Sequence, residues 1–94
     1  MNCIIYVRDN KDISLYEQFN KCAGYAKKHG YSIAGKVMDF DGSNLHEAIN
    51  KVIANEDIPI LLIYSKQFVF PRHEDYLFFL IYLEKLGKHF VICY

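Results

Sequence analysis

Two stretches of this chain are apolar on every position instead of every second one: Cys3-Ile4-Ile5-Tyr6-Val7 and, between Pro59 and Ser65, Ile60-Leu61-Leu62-Ile63-Tyr64. A strand with no polar side has to be covered on both faces, as happens in a parallel sheet sandwiched between helices. The first of them is expected to be the central strand.

The segments between the strands supply the helices. Leu15, Phe19, Cys22, Ala23 and Ala26 recur at helical spacing, with Asp12 or Ser14 to cap the start, Lys27, Lys28 and His29 at the negative end of the dipole, and Gly30 just beyond it. Tyr31 to Met38 reads as a second strand, weakened by Gly35, and Asp39 to Asn44 as a loop. Leu45, Ala48, Ile49, Val52 and Ile53 mark a second helix capped by Ser43 or Asn44. Pro71 is expected in the first turn of the last helix, where its missing N–H costs nothing, with Glu74 and Asp75 at the positive end of the dipole. Gly87 closes that helix, and His89 to Tyr94 reads as the fourth strand. The order β-α-β-α-β-α-β predicts an α/β fold: a doubly wound, mainly parallel four-stranded sheet with helices on both faces and right-handed crossovers, one domain spanning residues 1–94. Chemistry in such sheets gathers beyond the carboxyl ends of the strands, here the loops after Val7, Met38 and Ser65.

Charge narrows the partners. Lys and Arg number 11 against 11 Asp and Glu, so the formal net charge is zero, and only two of the cations are arginines, Arg8 and Arg72. Nonspecific nucleic-acid binding rests on clustered cations that displace counterions from phosphates, so DNA binding is expected to be weak or absent. The three cysteines, Cys3, Cys22 and Cys93, are an odd number without a Cys-x-x-Cys pair, which fits a reduced, cytoplasmic interior. Met1 to Arg8 is too short and too β-branched for a signal peptide, so none is expected, and no apolar run approaches the roughly 20 residues of a membrane span. No metal-ligand spacing is present: Arg72-His73-Glu74-Asp75 lacks the His-x-x-x-His pattern, and His29 and His73 are explained by helix ends. Neither GxGxxG nor GxxxxGK[ST] follows any strand, which counts against a nucleotide module, and no cofactor is expected.

Tyr6-Val7-Arg8 at the end of the first strand and Ser14-Leu15-Tyr16-Glu17-Gln18 at the start of the first helix resemble the opening of the serine recombinase (resolvase/invertase) catalytic domain. The family begins with a Tyr-x-Arg-x-Ser strand end, a polar loop and a helix bearing Gln. The likeness continues through Cys22 to Tyr31, the Asp41-Gly42-Ser43 loop and the final helix-Gly-strand, nearly the whole chain in order. It implies a resolvase-like fold. The family's chemistry needs a serine to attack a DNA phosphodiester and a set of arginines to stabilise the charge that develops.

Residue by residue, Tyr6, Arg8 and Gln18 match, and Asn10 stands at the nucleophile position two residues beyond Arg8. Asp41 and Ser43 resemble a contracted Asp-x-x-Ser-Gly loop, without the Arg-Pro that follows in the family. Where the family carries Asp-Arg-Leu-x-Arg after the third strand, this chain reads Gln67-Phe68-Val69-Phe70-Pro71. The nucleophile and three arginines are therefore replaced together, and the resemblance implies a degenerate, truncated catalytic domain with no intact catalytic residue. A carboxamide is no phosphoryl nucleophile. Tyr6, Arg8, Gln18, Asp41 and Ser43 are read as vestigial family positions, with residual phosphate binding near Tyr6, Arg8 and Gln18 as a lesser reading. Arg8 is equally explained by a salt bridge to Asp9, Asp39 or Asp41. An active enzyme would need an atypical nucleophile such as Ser14 or Ser43, and Ser14 is better explained as a helix start.

The family's domain continues past the fourth strand into another strand and a long helix, followed by a separate DNA-binding region; none of these is expected here. Tyr76 to Leu83 is eight residues of unbroken apolar and aromatic character on one helix, where a surface helix needs only a stripe. Leu77, Leu80, Ile81 and Glu84 can share one face, while Phe78, Phe79, Tyr82 and Leu86 spread over others. Either loop residues such as Phe68 and Phe70 wrap this helix, or Tyr76, Phe78, Phe79, Tyr82, Leu83 and Leu86 form a protein–protein surface. The second reading is preferred, with a homodimer or a full-length recombinase as the partner.

Overall fold

The computed structural model describes all 94 residues. The elements run β1 (Asn2–Arg8), α1 (Leu15–Lys28), β2 (Ser32–Asp39), α2 (Leu45–Ala54), β3 (Ile60–Ile63), α3 (Lys66–Val69), α4 (His73–Lys85) and β4 (His89–Ile92). All pairings are parallel and the strand order is β2-β1-β3-β4, which places β1 and β3 inside and β2 and β4 at the edges. The expected doubly wound sheet is observed.

The path steps outward from β1 to β2, then back across β1 to β3. With right-handed crossovers the reversal sends α1 to one face and α2 and α4 to the other. The core divides accordingly. Ile4, Tyr6, Leu61 and Ile63 pack with Ala48, Ile49, Val52 and Leu83, whereas Cys3, Ile5, Val7, Ile60 and Leu62 pack with Cys22 and Ala26. Alternate residues of β1 and β3 thus serve opposite layers, which is why the runs Cys3 to Val7 and Ile60 to Ile63 are apolar at every position. The reversal also makes the crevice beyond the carboxyl ends of β1 and β3 the topological switch point.

Local chemistry explains most boundaries. The Ser14 hydroxyl accepts the Glu17 N–H at 3.2 Å and caps α1, in preference to Asp12. Gly30 and Gly87 take positive φ, 73° and 75°, just past the ends of α1 and α4, where a side chain would be strained. Near Gly35 the β1–β2 register slips, because Cys3 faces Ile33 and Ile4 faces Gly35, leaving Ala34 as the extra residue.

Three expectations are corrected. The segment after β3 is not all loop: Lys66–Val69 forms one helical turn. Pro71 lies outside α4, whose N-cap is Arg72 in an extended conformation (φ −111°, ψ 132°). Phe70 is extended as well (φ −123°, ψ 102°), as a residue preceding proline tends to be, so the chain straightens before the helix begins. Finally, α4 turns Tyr76, Phe79, Leu80 and Leu83 toward the sheet, while Leu77 and Ile81 are exposed. Aromatic partners decide that choice: Phe70 meets Phe79 at 5.3 Å and Phe90 at 5.6 Å, and Tyr76 meets Phe90 at 6.2 Å. No helix is long and apolar enough to cross a membrane.

Candidate functional site

The carboxyl ends of β1 and β2 carry the one dense polar cluster near the switch point. Tyr6 and Arg8 lie two apart on β1, Asp39 pairs with Arg8 in register, and these side chains share the α2/α4 side of the sheet. The Tyr6 hydroxyl, fully buried, donates to Asp39 Oδ2 at 2.6 Å and accepts from Arg8 Nε at 3.0 Å. Asp39 is fully buried and also accepts the Asn44 N–H at 3.0 Å and the Asp41 N–H at 3.3 Å. One carboxylate therefore ties strand β1, the 40–44 loop and the start of α2 together.

The protonation states follow from these contacts. Burial pushes the Asp39 carboxyl up, but the Tyr6 phenol and the N–H groups of Asn44, Asp41 and Gly42 outweigh it and hold the group below the ordinary carboxylate range. Burial, then the hydrogen bond to Asp39, pushes the Tyr6 phenol well up, against the opposing pull of Arg8. Tyr6 is thus a fixed donor and Asp39 a fixed anion at neutral pH.

Arg8 is half-buried. Its Nη1 donates to the Val69 carbonyl at 3.0 Å, linking β1 to the turn after β3. Gly42 closes over the guanidinium with φ +90°, where a Cβ would stand 3.1 Å from Arg8 Cζ. The salt bridge considered for Arg8 is not formed; Asp39 is reached only through the Tyr6 hydroxyl. Arg72 is remote from this arrangement in its bonding and pairs with Glu74 at 3.3 Å on the surface.

Gln18 arrives from α1 on the other face and is buried. Its Nε2 donates to the Arg8 carbonyl at 2.6 Å and the Ile13 carbonyl at 3.2 Å, and its Oε1 takes the Arg8 N–H at 3.4 Å. The side chain substitutes for a strand partner at the point where β1 runs out.

Tyr6, Arg8 and Gln18 therefore converge, and the other sequence-predicted positions sit around them with local roles. Asn10 accepts the Asp12 N–H on Oδ1 at 2.8 Å, a side-chain-closed turn. Ser43 and Asp41 are exposed and bonded to each other, the Ser43 N–H reaching Asp41 Oδ1 at 2.9 Å. The Ser43 hydroxyl and then its amide hold the Asp41 carboxyl below its ordinary range, which makes it a poor base for activating that serine. Ser14 is engaged as the cap of α1. Beyond β3, Val69 and Phe70 are buried in the α4-side core, and Phe68 packs 5.6 Å from Tyr64 on the α1 side.

Of the residues expected at an interface, Phe78 and Tyr82 on α4 and Leu86 just past its end are exposed, joined by Leu77 and Ile81. Tyr76 and Phe79 are half-buried against the core. Leu83 is a correction: it is fully buried, because it follows Tyr76, Phe79 and Leu80 at the i+7, i+4 and i+3 spacing of the sheet-facing side. Asp39 is the residue that sequence reasoning missed as a site member. Extending the period-2 alternation from Val37 by one step would have placed it beside Tyr6.

No known family model matches the chain, and no curated protein matches it in sequence. Solved structures do. The N-terminal catalytic domain of TP901-1 integrase superposes with a TM-score of 0.82 at 20% identity, over 99% of this chain and 77% of that one. The C-terminal catalytic domain of ISC1926 TnpA, an IS607-like serine recombinase, gives 0.76 at 20% identity over 100% and 68%. That of IS1535 TnpA, also IS607-like, gives 0.69 at 14% identity over 96% and 69%. The chain has the fold of serine recombinase catalytic domains, end to end.

Proposed function

We propose that this chain is a catalytically silent resolvase-like domain that acts through protein contacts, as an interaction or regulatory module related to site-specific DNA recombination. The observation that carries the reading is the segment after β3. Where the resemblance calls for two arginines, this chain has Phe68, packed against Tyr64, and the exposed Pro71, neither of which carries a charge, and Arg8 is held by the Val69 carbonyl and the Tyr6 hydroxyl. Transition-state stabilisation of a phosphoryl group needs cations aimed at open space, and each one lost typically costs several kcal/mol of barrier. Asn10, in place of the nucleophile, closes a turn.

The exposed side of α4 supports the second half of the proposal. Phe78 is 65% exposed and Ile81 52%, an apolar surface of the kind that protein partners cover. The partner is a second copy or a full-length serine recombinase. Light scattering over a concentration series, alone and with a recombinase added, is expected to show association, and supercoiled or nicked DNA is expected to yield no covalent protein adduct. An adduct would overturn silence. A monomer at every concentration that also leaves the recombinase's mass unchanged would overturn the interaction role.

A further inference from the structure

The sequence gives no reason to pair any of the three cysteines, yet two of them meet. Cys22 and Cys93, 71 residues apart, bring their sulfurs to 3.3 Å. Both are free thiols. Cys22 lies on the buried side of α1, fully enclosed, one helical turn beyond Gln18. Cys93 follows β4, is half-exposed, and is anchored by its N–H to the Ile63 carbonyl at 3.0 Å. Its sulfur also lies 3.6 Å from the Tyr64 carbonyl oxygen. Cys3, the third thiol, is fully buried in the same layer.

We propose that Cys22 and Cys93 form an oxidisable dithiol, a modification site at which a hydroperoxide closes an intramolecular disulfide that pins α1 to the end of the edge strand β4. The two thiols are unlike in access and acidity. The hydrogen bond from Cys22 holds the Cys93 thiol below the ordinary cysteine range, while that same contact and then burial push Cys22 up. Cys93 is thus the group that meets the oxidant, since the thiolate is the nucleophile and exposure governs access.

Its thiolate attacks one peroxide oxygen; the S–O bond forms, the O–O bond breaks, and the leaving oxygen departs as water or an alcohol. Cys22 then gives up its proton and attacks the Cys93 sulfur, forming S–S and breaking S–O with release of water. The two thiols lose two electrons and two hydrogens in all, and the peroxide takes them up. The sulfurs need only close from their present contact to bonding distance, roughly 2.05 Å. The bond would hold α1 one turn from the point where Gln18 supports the Arg8 backbone, so the oxidation state reaches the carboxyl edge through the helix.

The test treats the full chain with hydrogen peroxide, then alkylates it under denaturing conditions and maps the peptides. The expected product is a monomer lighter by two hydrogen atoms, with Cys22 and Cys93 linked and Cys3 alone alkylated. Its Tm should rise by about 10 °C over the reduced form, since a long loop is closed in the unfolded chain, and dithiothreitol should reverse both changes. Cys93→Ser, a near-surface change that avoids the enclosed Cys22, should abolish the link and the Tm shift together. Three alkylated thiols after oxidation, a link that includes Cys3 or joins two chains, or a linked monomer with an unchanged Tm would each overturn the proposal.

Discussion

The carboxyl edge of the sheet and the outer side of α4 are opposites. At the edge, Tyr6, Asp39 and Gln18 direct their polar groups at other parts of the chain, and no buried side-chain nitrogen or oxygen anywhere lacks a partner. On the outer side of α4, Phe78 and Tyr82 stack on each other, 6.4 Å apart and within 5° of parallel, and both are exposed. A reacting centre keeps donors pointed at the position of a substrate; this edge has turned them inward, where they hold strands, loop and helix together. Stability should therefore reside in the polar cluster that looks like a site, and association in the apolar side that does not.

Removing Asp39 tests the first half hardest. Asp39→Ala strips the acceptor from the Tyr6 hydroxyl and from the N–H groups of Asn44 and Asp41. Orphaning several buried donors should cost about 3 kcal/mol, read by chemical denaturation, out of the roughly 5 to 10 kcal/mol typical of a domain this size. The loss should depend on pH in a definite direction. Because the folded carboxyl lies below its ordinary value of 3.8, its contribution is fully present above that value and disappears as the pH falls through the lower folded value. Wild type and Asp39→Ala should thus converge below about pH 4. A constant gap down to pH 2 would mean that the carboxylate's charge contributes nothing.

Gln18→Ala is the next largest. The side chain is buried and makes the bonds that finish β1, so its loss should cost about 2 kcal/mol. A change within about 0.5 kcal/mol, the range of ordinary surface substitutions, would break the comparison, for it would make Gln18 a remnant with no structural duty.

The legible parts of this molecule were those where one residue run answers to one constraint. Cys3 to Val7 of β1 and the whole of β3 are apolar because both layers rest on them, and with the alternation of strands and helices that implies the sheet. α3 escaped notice because one turn, Lys66–Val69, is too short to show a period. The sheet-facing side of α4 was illegible for the reverse reason: an unbroken apolar run has no period, and the choice is made by Phe70 and Phe90, which arrive from elsewhere in the chain. Tyr6, Arg8 and Gln18 were found through a resemblance. Asp39 reads as loop from sequence because the apolar β2 pattern ends at Met38, one residue before the strand does. The meeting of Cys22 with Cys93 is made by topology alone, since parallel order brings the end of β4 under α1.

The smallest effect on stability should come from the side of the molecule with the largest effect on assembly. Replacing Phe78 and Ile81 with serine removes two exposed apolar side chains that the core does not use. Each should change the unfolding free energy by no more than about 0.5 kcal/mol. The doubly substituted chain should nonetheless lose the concentration dependence of its light-scattering mass, because exposed apolar area of this kind contributes only when a partner covers it. Retained association would move the contact off α4. A destabilisation of about 2 kcal/mol or more, of the size seen for core truncations, would show that Phe78 and Ile81 are covered within the molecule, and the contrast between a self-satisfied edge and an unsatisfied helix would no longer hold.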